Sequence, residues 1–220
     1  YAQKKEYYVD GKLKAEGKYK KGKRHGKWTL YDVFGTKSES GNYDKGLKTG
    51  YWYEYKSYGD IDAFGEYKDG KKSGYWVGYY NIERTKFEGK YLDGLKTGVW
   101  KTYYRNDSIK VSCSYYQDKL NGIYTSYYEN GQIKTIGKFE NGNKTAYWKA
   151  YHENNQIYSY GKFEMDSMQG NWKYYFDSGT LESEGSFSNG QKVGYWKMYY
   201  PNGQINMEGE YTYGKRTGVW

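Results

Sequence analysis

Aromatic residues recur along the chain every 24 residues, with polar residues and glycine between them. Counted from Ala2, the period continues to Thr217 without an insertion or a deletion. The third position of each repeat accounts for all eight tryptophans, the sixth is always tyrosine, and the sixteenth is glycine in eight of nine repeats. Such a fixed period predicts an array of identical structural units. The repeats begin at Ala2, Gly26, Gly50, Gly74, Gly98, Gly122, Ala146, Gly170 and Gly194, and a partial tenth occupies residues 218–220.

Each repeat contains two strand-like runs separated by turn residues. In the ninth repeat these runs are GYWKMYY (194–200) and QINMEGEY (204–211), with Asn202-Gly203 between them. Asn-Gly favours a two-residue hairpin turn, in which both central residues have a positive φ. We therefore expect a two-residue turn at the ninth and tenth positions. A second turn, centred on glycine as in ENGNKT (140–145), leads into the next repeat.

The expected turn fixes which residues face each other across the hairpin. Trp196, at the third position, would pair with Gly209 at the sixteenth. One face of the sheet would then carry Trp196 with Tyr200, Ile205 and Tyr211, at the seventh, twelfth and eighteenth positions. The sixth-position tyrosines would lie on the opposite face, because side chains alternate along a strand.

Composition indicates what the core is made of. Aromatic residues make up 22% of the chain and the mean hydropathy is −1.18, so a core must be built from tyrosine and tryptophan. Disordered chains lack aromatic residues, and no apolar run approaches a membrane span. The expected fold is all-β: an elongated, single-layer, twisted antiparallel sheet of stacked β-hairpins. Residues 1–220 would form one continuous array, because a repeat array has no internal domain boundary.

These positions resemble the MORN repeat in its bacterial variant. The usual MORN unit contains Y-E-G-x-W-x-x-G-K-x-x-G, which FEGKYLDGLKTG (87–98) and MEGEYTYGKRTG (207–218) match closely, with Tyr91 and Tyr211 in the tryptophan's place. The resemblance covers essentially the whole chain. It implies a twisted sheet of stacked hairpins that acts as a scaffold for proteins or membranes. Some bacterial relatives are described as antitoxins, and catalysis in the family comes from attached domains, so we expect no enzyme activity.

Few residues suggest chemistry of their own. His25 and His152 lack partners at metal-ligand spacing, and no segment suggests a nucleophile with its base. Cys113 replaces a sixteenth-position glycine, so we expect it to be packed and inert. We therefore expect no catalytic, cofactor or metal site and no small-molecule substrate.

The twenty-third position is basic in seven of nine repeats, and its other two residues are Leu120 and Met168. Repeated cations could bind anionic lipid headgroups or an acidic partner, or could keep the turns soluble and discourage edge pairing. The candidate contact residues are Arg24, Lys48, Lys72, Lys96, Lys144, Lys192 and Arg216. The aromatic column assigned to structure is Trp28, Trp52, Trp76, Trp100, Trp148, Trp172, Trp196 and Trp220.

Residues that break the repeat pattern cluster in the middle of the chain. Two interpretations are open: drift under weak constraint, or a specialised partner site. The departures are Glu83, Asp107, Cys113, Asp118, Tyr124, Ala146, Asn155 and Asp166.

The function expected from these observations is a non-catalytic protein–protein interaction scaffold in a bacterial cell envelope. The alternatives are binding to an anionic membrane surface through the basic positions, or antitoxin-like inhibition of a partner protein. The positive charge is concentrated at one end of the chain: residues 1–27 hold ten Lys and Arg against three Asp and Glu, which is +7 of the total +9. Because the rest of the array is nearly neutral, nucleic acid is not expected as a partner. The opening Tyr-Ala-Gln resembles the junction left by a secretory signal, which predicts export to the periplasm or envelope. An arbitrary boundary in a cytoplasmic protein is the alternative.

Overall fold

The computed structural model describes residues 2–220, which form β-strands joined by turns. All nineteen strands belong to one antiparallel sheet of consecutive hairpins, which confirms the predicted all-β fold. The strands are β1 (Gln3–Tyr7), β2 (Leu13–Lys20), β3 (Lys23–Tyr31), β4 (Lys37–Asp44), β5 (Leu47–Tyr55), β6 (Ile61–Lys68), β7 (Lys71–Asn81), β8 (Arg84–Leu92), β9 (Leu95–Tyr103), β10 (Ile109–Tyr116), β11 (Lys119–Tyr127), β12 (Ile133–Glu140), β13 (Asn143–Tyr151), β14 (Ile157–Glu164), β15 (Ser167–Tyr175), β16 (Leu181–Ser188), β17 (Gln191–Tyr199), β18 (Ile205–Thr212) and β19 (Lys215–Thr217).

Two compact units are distinguished along the chain. The N-terminal unit comprises the residues up to Asp107 together with Tyr116–Asp118, and the C-terminal unit comprises Ser108–Tyr115 with Lys119–Trp220. In the N-terminal unit, strands β1 to β9 pair in chain order. In the C-terminal unit, strands β11 to β19 do the same.

The turn inside most repeats differs from the prediction. In the ninth repeat, the Tyr200 N–H donates to the Gln204 carbonyl at 2.8 Å, and the Gly203 N–H donates to the Tyr200 carbonyl at 2.8 Å. The loop therefore has three residues, and of these only Gly203 has a positive φ, at +85°. This is a type I turn closed by a glycine bulge, and Pro201 suits its second position because the proline ring fixes φ. The same two bonds occur in seven of the nine repeats, so the predicted two-residue turn at the ninth and tenth positions is wrong for these. In the fourth repeat, Asn81 pairs with Arg84 across Ile82 and Glu83, which is a two-residue turn at the predicted positions.

A bulge next to the turn changes the strand pairing close to the turn, while the pairing farther along the hairpin is as predicted. Trp196 pairs with Gly209, as predicted, but Tyr199 pairs with Ile205, and Asn206 is left without a partner. Directly opposed residues share a face of the sheet, so Ile205 lies with the sixth-position tyrosine and not with the tryptophan. The predicted face of the twelfth position is therefore wrong, because one extra residue exchanges the two faces.

Two-residue turns connect one repeat to the next. Asn141 and Gly142 have φ values of +51° and +93°, and Glu140 pairs with Asn143 across them. Both central residues have the positive φ of a type I′ turn. The Gly142 N–H also donates to the Leu120 carbonyl at 2.8 Å, which ties this turn to the preceding one.

Tryptophan rings form the core, each lying on the sixteenth-position glycine of the preceding repeat. Trp28, Trp52, Trp76 and Trp196 have no exposed surface. A Cβ atom added to Gly185 would lie 2.2 Å from the Trp196 ring, so no side chain fits at this position. The pairing of Trp196 with Gly209 of its own repeat was predicted. The structure adds that the Trp196 ring covers Gly185 of the preceding repeat, on the other neighbouring strand.

A second bulge gives the indole nitrogen its partner. Between β2 and β3, Gly17 pairs with Trp28 and Lys18 with His25, which leaves two residues of β3 without a partner on that side. The Trp28 Nε1–H donates to the freed carbonyl of Lys18 at 3.1 Å. The same bond recurs from Trp52, Trp76, Trp100 and Trp196.

Candidate functional site

The sheet presents two chemically different surfaces in each unit. We call the surface with the tryptophans the Trp face and the surface with the sixth-position tyrosines the Tyr face. On the Tyr face, the hydroxyl of Tyr31 donates to Glu16 at 2.7 Å, and that of Tyr103 donates to Glu88 at 2.6 Å. The tyrosines are thereby held against the neighbouring strand.

The Trp face is a ladder of rings packed edge to face. In the N-terminal unit, the Tyr43 ring lies 6.0 Å from Trp28 and 5.0 Å from Trp52, both nearly perpendicular. In the C-terminal unit, Phe187 lies 6.0 Å from Trp172 and 5.2 Å from Trp196. This geometry favours the attraction between a ring edge and a ring face.

Each cation of the twenty-third position lies over the tryptophan that follows it. The shortest distance to a ring centroid is 3.7 Å, from Lys72 Nζ to Trp76. Six of the seven cations are half-buried, and Arg216 is exposed. A cation–π contact contributes about 0.5–1 kcal/mol at exposed sites. The other pairs are Arg24–Trp28, Lys48–Trp52, Lys96–Trp100, Lys144–Trp148, Lys192–Trp196 and Arg216–Trp220, at 4.5, 4.3, 4.5, 4.6, 4.0 and 4.4 Å.

In the N-terminal unit, three of these cations have a glutamate partner from the same repeat. Glu6 binds Arg24, Glu39 binds Lys48, and Glu54 binds Lys72 at 2.8 Å. The hydrogen bond from Arg24 lowers the pKa of Glu6, and a bond from Tyr19 adds to this effect. The glutamates occupy the fifth or fourteenth position of their repeats.

The C-terminal unit places uncharged residues at these same positions. The residues that correspond to the glutamates are Ser126 and Thr135 for Lys144, Tyr174 and Ser183 for Lys192, and Met198 and Met207 for Arg216. Among the described residues, no ion pair includes Lys144, Lys192 or Arg216. Lys96, the fourth stacked cation of the N-terminal unit, has Gly78 and Phe87 at these positions. The first three repeats therefore balance their stacked cation with a glutamate of the same repeat, whereas the repeats of Lys144, Lys192 and Arg216 do not.

On the Tyr face, the second repeat position carries exposed apolar side chains that sequence analysis missed. Tyr51, Tyr75 and Val99 in the N-terminal unit are 62%, 48% and 56% exposed. In the C-terminal unit, Tyr147 and Tyr195 are 68% and 53% exposed, and Ile123 is 59% exposed. The signal was present as a column of aromatic and branched residues directly before the tryptophan.

Tyr51 also borders a shallow cavity of about 460 Å³ on the Tyr face. Tyr53, Tyr55 and the basic residues Lys27 and Lys37 line the same cavity. The Lys37 Nζ lies 3.9 Å from the centroid of the Tyr55 ring, which places this twelfth-position residue on the Tyr face. Tyrosine rings beside lysines can offer both apolar and polar contacts to a partner.

The residues weighed for chemistry have structural partners. His25 Nδ1 lies 3.3 Å from an Asp44 oxygen, and His152 Nε2 lies 2.8 Å from the Tyr175 carbonyl oxygen. Within residues 2–220, no three His, Cys, Asp or Glu side chains are grouped so that they could hold a metal ion. The same part of the chain contains no helix with the length and apolar character needed to span a membrane.

Several of the mid-chain departures have local structural explanations. The Asp118 carboxylate accepts the Lys96 N–H at 2.7 Å, and the Asp166 carboxylate accepts the Lys144 N–H at 2.7 Å. Asp107 keeps the positive φ of the glycine it replaces, at +66°. Whether any of these residues also contacts a partner stays a prediction.

Two further departures compensate each other. Cys113 is buried at the glycine position that a tryptophan ring would cover, and the following repeat is the only one after the first without that tryptophan. Tyr124 takes its place, packed against Trp148 at 5.8 Å between ring centroids. Burial raises the pKa of Tyr124, and the nearby Cys113 adds to the shift. A smaller ring thus accompanies a larger residue at the glycine position.

Together, these features define a protein built from repeated β-hairpins with an aromatic core. Four segments, residues 96–118, 120–141, 168–189 and 192–213, match the family described as MORN repeat variant. The chain belongs to the MORN repeat variant family, with four repeats across residues 96–213, which confirms the resemblance found in the sequence. Each matched segment begins at a twenty-third position, where the stacked cation, or Leu120 or Met168, is found.

Other comparisons add little. No curated protein matches the chain. Among solved structures, a chain in the crystal structure of TcdB2-TccC3-Cdc42 is 11% identical, with a TM-score of 0.20. The match covers 96% of this chain and only 17% of that chain. A similarity at this level carries no argument about fold or function.

Proposed function

We propose that this protein is a non-catalytic scaffold that binds a protein partner through its Tyr face. MORN repeat proteins generally act as binding scaffolds. The observation that supports the proposal is the exposed column at the second position, including Tyr51, Tyr75, Tyr147 and Tyr195. Tyrosine is favoured at protein–protein interfaces, since it combines a large apolar ring with a hydrogen-bonding hydroxyl.

Copurification of the tagged chain from its native host tests the proposal. The partner should be lost when the exposed tyrosines are replaced by serine, because these side chains carry the contact area. Substitution of exposed Lys45 and Lys86 by serine is the matched surface control. Equal partner recovery with both variants, at unchanged melting temperature, would contradict binding through the Tyr face.

The same experiment separates this function from its alternative. If the recovered partner is an enzyme whose turnover the chain blocks, antitoxin-like inhibition is the better description. The chain itself should show only background turnover in hydrolase and transferase assays. The cell-envelope location stays a prediction: it rests on the residues around Tyr1, which lies outside the described part of the chain, and cell fractionation would test it.

A further inference from the structure

We propose that the Trp face of the C-terminal unit binds an acidic polypeptide segment, whose carboxylates sit beside the stacked cations Lys144, Lys192 and Arg216. The inference rests on the proposed scaffold function and specifies the chemistry of one partner segment.

The N-terminal unit shows the occupied form of this arrangement. Lys72 Nζ lies 3.7 Å from the Trp76 ring centroid and 2.8 Å from a Glu54 carboxylate oxygen. The ring covers one side of the ammonium group, and the carboxylate balances its charge. Glu39 and Glu6 take the same role for Lys48 and Arg24. The protein's own glutamates therefore show which group such a cation accepts.

The C-terminal unit keeps the cation and the ring but lacks the carboxylate. Lys192 Nζ lies 4.0 Å from the Trp196 centroid and 5.2 Å from that of Tyr211. The two residues that match the glutamate positions of this repeat are Tyr174 and Ser183. A half-buried ammonium without a counter-charge is costly, and a carboxylate from a partner would offset that cost.

The spacing suits an extended peptide that crosses the strands. Two strands at ~4.8 Å each advance one repeat by ~10 Å, so Lys192 and Arg216 are separated by ~10 Å and Lys144 and Lys192 by ~20 Å. An extended chain spans ~3.3 Å per residue, so glutamates three and then six residues apart would meet the three cations. The rings beside the cations, such as Phe163 and Tyr211, would contact the intervening residues.

A peptide fits these cations better than an anionic membrane surface. Lys144 and Lys192 are half-buried, with their ammonium groups 4.6 and 4.0 Å from the ring centroids below them. A planar array of headgroups is best met by cations that project from the protein. A single carboxylate on a narrow chain can approach a recessed ammonium as Glu54 does in the N-terminal unit.

Fluorescence anisotropy with a labelled ten-residue peptide tests the inference. The peptide carries glutamate at its first, seventh and tenth residues and serine elsewhere. It should bind the full chain, and Lys192→Gln should weaken the affinity about tenfold, the order expected for the loss of one charge-assisted contact. The matched control is Lys72→Gln, which should change the affinity little because Glu54 already pairs with Lys72.

Two further variants should gain binding. Glu39→Gln with Glu54→Gln would remove the carboxylates that pair with Lys48 and Lys72 and raise the stoichiometry from one peptide to two. Met168→Lys would place a cation between Lys144 and Lys192 and should tighten binding of a peptide with a fourth glutamate at its fourth residue. Melting curves would check that each variant is folded.

Three results would overturn the inference. One is an equal loss of affinity with Lys192→Gln and Lys72→Gln, which would indicate unspecific attraction to positive charge. Another is no gain from either variant. The third is flotation with phosphatidylserine vesicles that depends on Lys192 while the peptide fails to bind, which would assign the site to a membrane. A copurified partner that binds wild type and Lys192→Gln equally would overturn this inference and leave the scaffold function standing.

Discussion

Glycine at the sixteenth repeat position determines where each tryptophan ring can lie. A Cβ atom added to Gly185 would be 2.2 Å from Trp196, and one added to Gly161 would be 2.1 Å from Trp172. Since the clashing atoms belong to a buried ring and not to a flexible chain end, the ring itself must move. The glycine column therefore specifies core packing in this fold.

Gly185→Ala should destabilise the protein by about 1–3 kcal/mol or more, the range for overpacking a well-filled site. Urea denaturation followed by tryptophan fluorescence would measure the change. Ser183→Ala, two residues earlier on the same strand, is a control that adds no atoms. Equal unfolding midpoints for wild type and Gly185→Ala would contradict the close contact.

The indole nitrogens make different contributions at equivalent positions. Trp196 Nε1–H donates to the Ser186 carbonyl at 3.1 Å, whereas the buried Trp172 Nε1 has no partner. Replacement of either tryptophan by phenylalanine removes the indole nitrogen. Only Trp196→Phe also breaks a hydrogen bond, and it leaves the Ser186 carbonyl without that donor. Trp196→Phe should therefore cost about 1–3 kcal/mol more than Trp172→Phe. Denaturant melts of both variants would decide, and a larger loss at Trp172 would contradict this account.

Sequence reasoning succeeded and failed at residues that look alike. The pairing of Trp196 with Gly209 was predictable, since both belong to fixed columns and opposed residues must fit together. The turn at Asn202-Gly203 was not, because Asn141-Gly142 has the same dipeptide but a different turn. The stacking of Lys72 on Trp76 also escaped prediction, because it depends on a bulge that only the hydrogen-bond register reveals.

At the scale of strands, two neighbouring strands each carry one departure from the repeat pattern, and the two departures compensate each other in size. Cys113 lies on β10, and Tyr124, which follows it in the next repeat, lies on β11. The thiol occupies the volume that a glycine leaves open elsewhere, and the phenol ring takes less space than an indole. The two departures should therefore be energetically coupled.

Tyr124→Trp should destabilise the protein while Cys113 is present, since the larger ring meets the thiol. It should be tolerated or stabilising in combination with Cys113→Gly, which restores the common pair. A double-mutant cycle in urea would give the coupling energy, expected to be about 0.5–3 kcal/mol. Additive effects of the two substitutions would show that the residues do not compensate each other.

The first hairpin should be sensitive to acid through Glu6. The hydrogen bond from Arg24, joined by one from Tyr19, lowers the pKa of Glu6 below its usual value of 4.5. A lowered pKa in the folded state means that the stabilisation is present above the unfolded pKa and is lost as pH falls through the folded pKa. Wild type should therefore be more stable than Glu6→Gln at pH 7 and lose this advantage in acid.

Unfolding midpoints of wild type and Glu6→Gln, measured from pH 7 down to a pH below the pKa of Glu6 in the folded state, would test the prediction. Glu153→Gln, at an exposed residue of the C-terminal unit, is the control. A difference between wild type and Glu6→Gln that does not change with pH would show that the charge of Glu6 is unimportant.

At the scale of the whole chain, the contacts of one repeat are offered again by the next. Trp148 covers Gly137 and lies under Lys144, and Trp172 covers Gly161 in the same way. Removal of residues 146–169 would bring Gly170 next to Thr145, so that Trp172 could cover Gly137. Repeat arrays are stabilised by such nearest-neighbour contacts.

The variant without residues 146–169 should fold cooperatively with a small loss of stability, as measured by circular dichroism and urea denaturation. A variant without residues 146–157 should be strongly destabilised, because it removes most of β13 and leaves β14 without the first strand of its hairpin. Similar behaviour of the two deletions would contradict a 24-residue structural unit.

The edge-to-face ladder of the Trp face has an optical consequence. From Tyr19 to Trp100, neighbouring rings in the N-terminal unit lie 5.0 to 6.0 Å apart. At such distances, excitation absorbed by these tyrosines passes to an adjacent indole before it is emitted. Their ultraviolet emission should therefore resemble that of tryptophan, and tyrosine emission should appear from them only where the ladder has come apart. The ratio of tyrosine to tryptophan emission thus reports how far the repeats of the chain have separated.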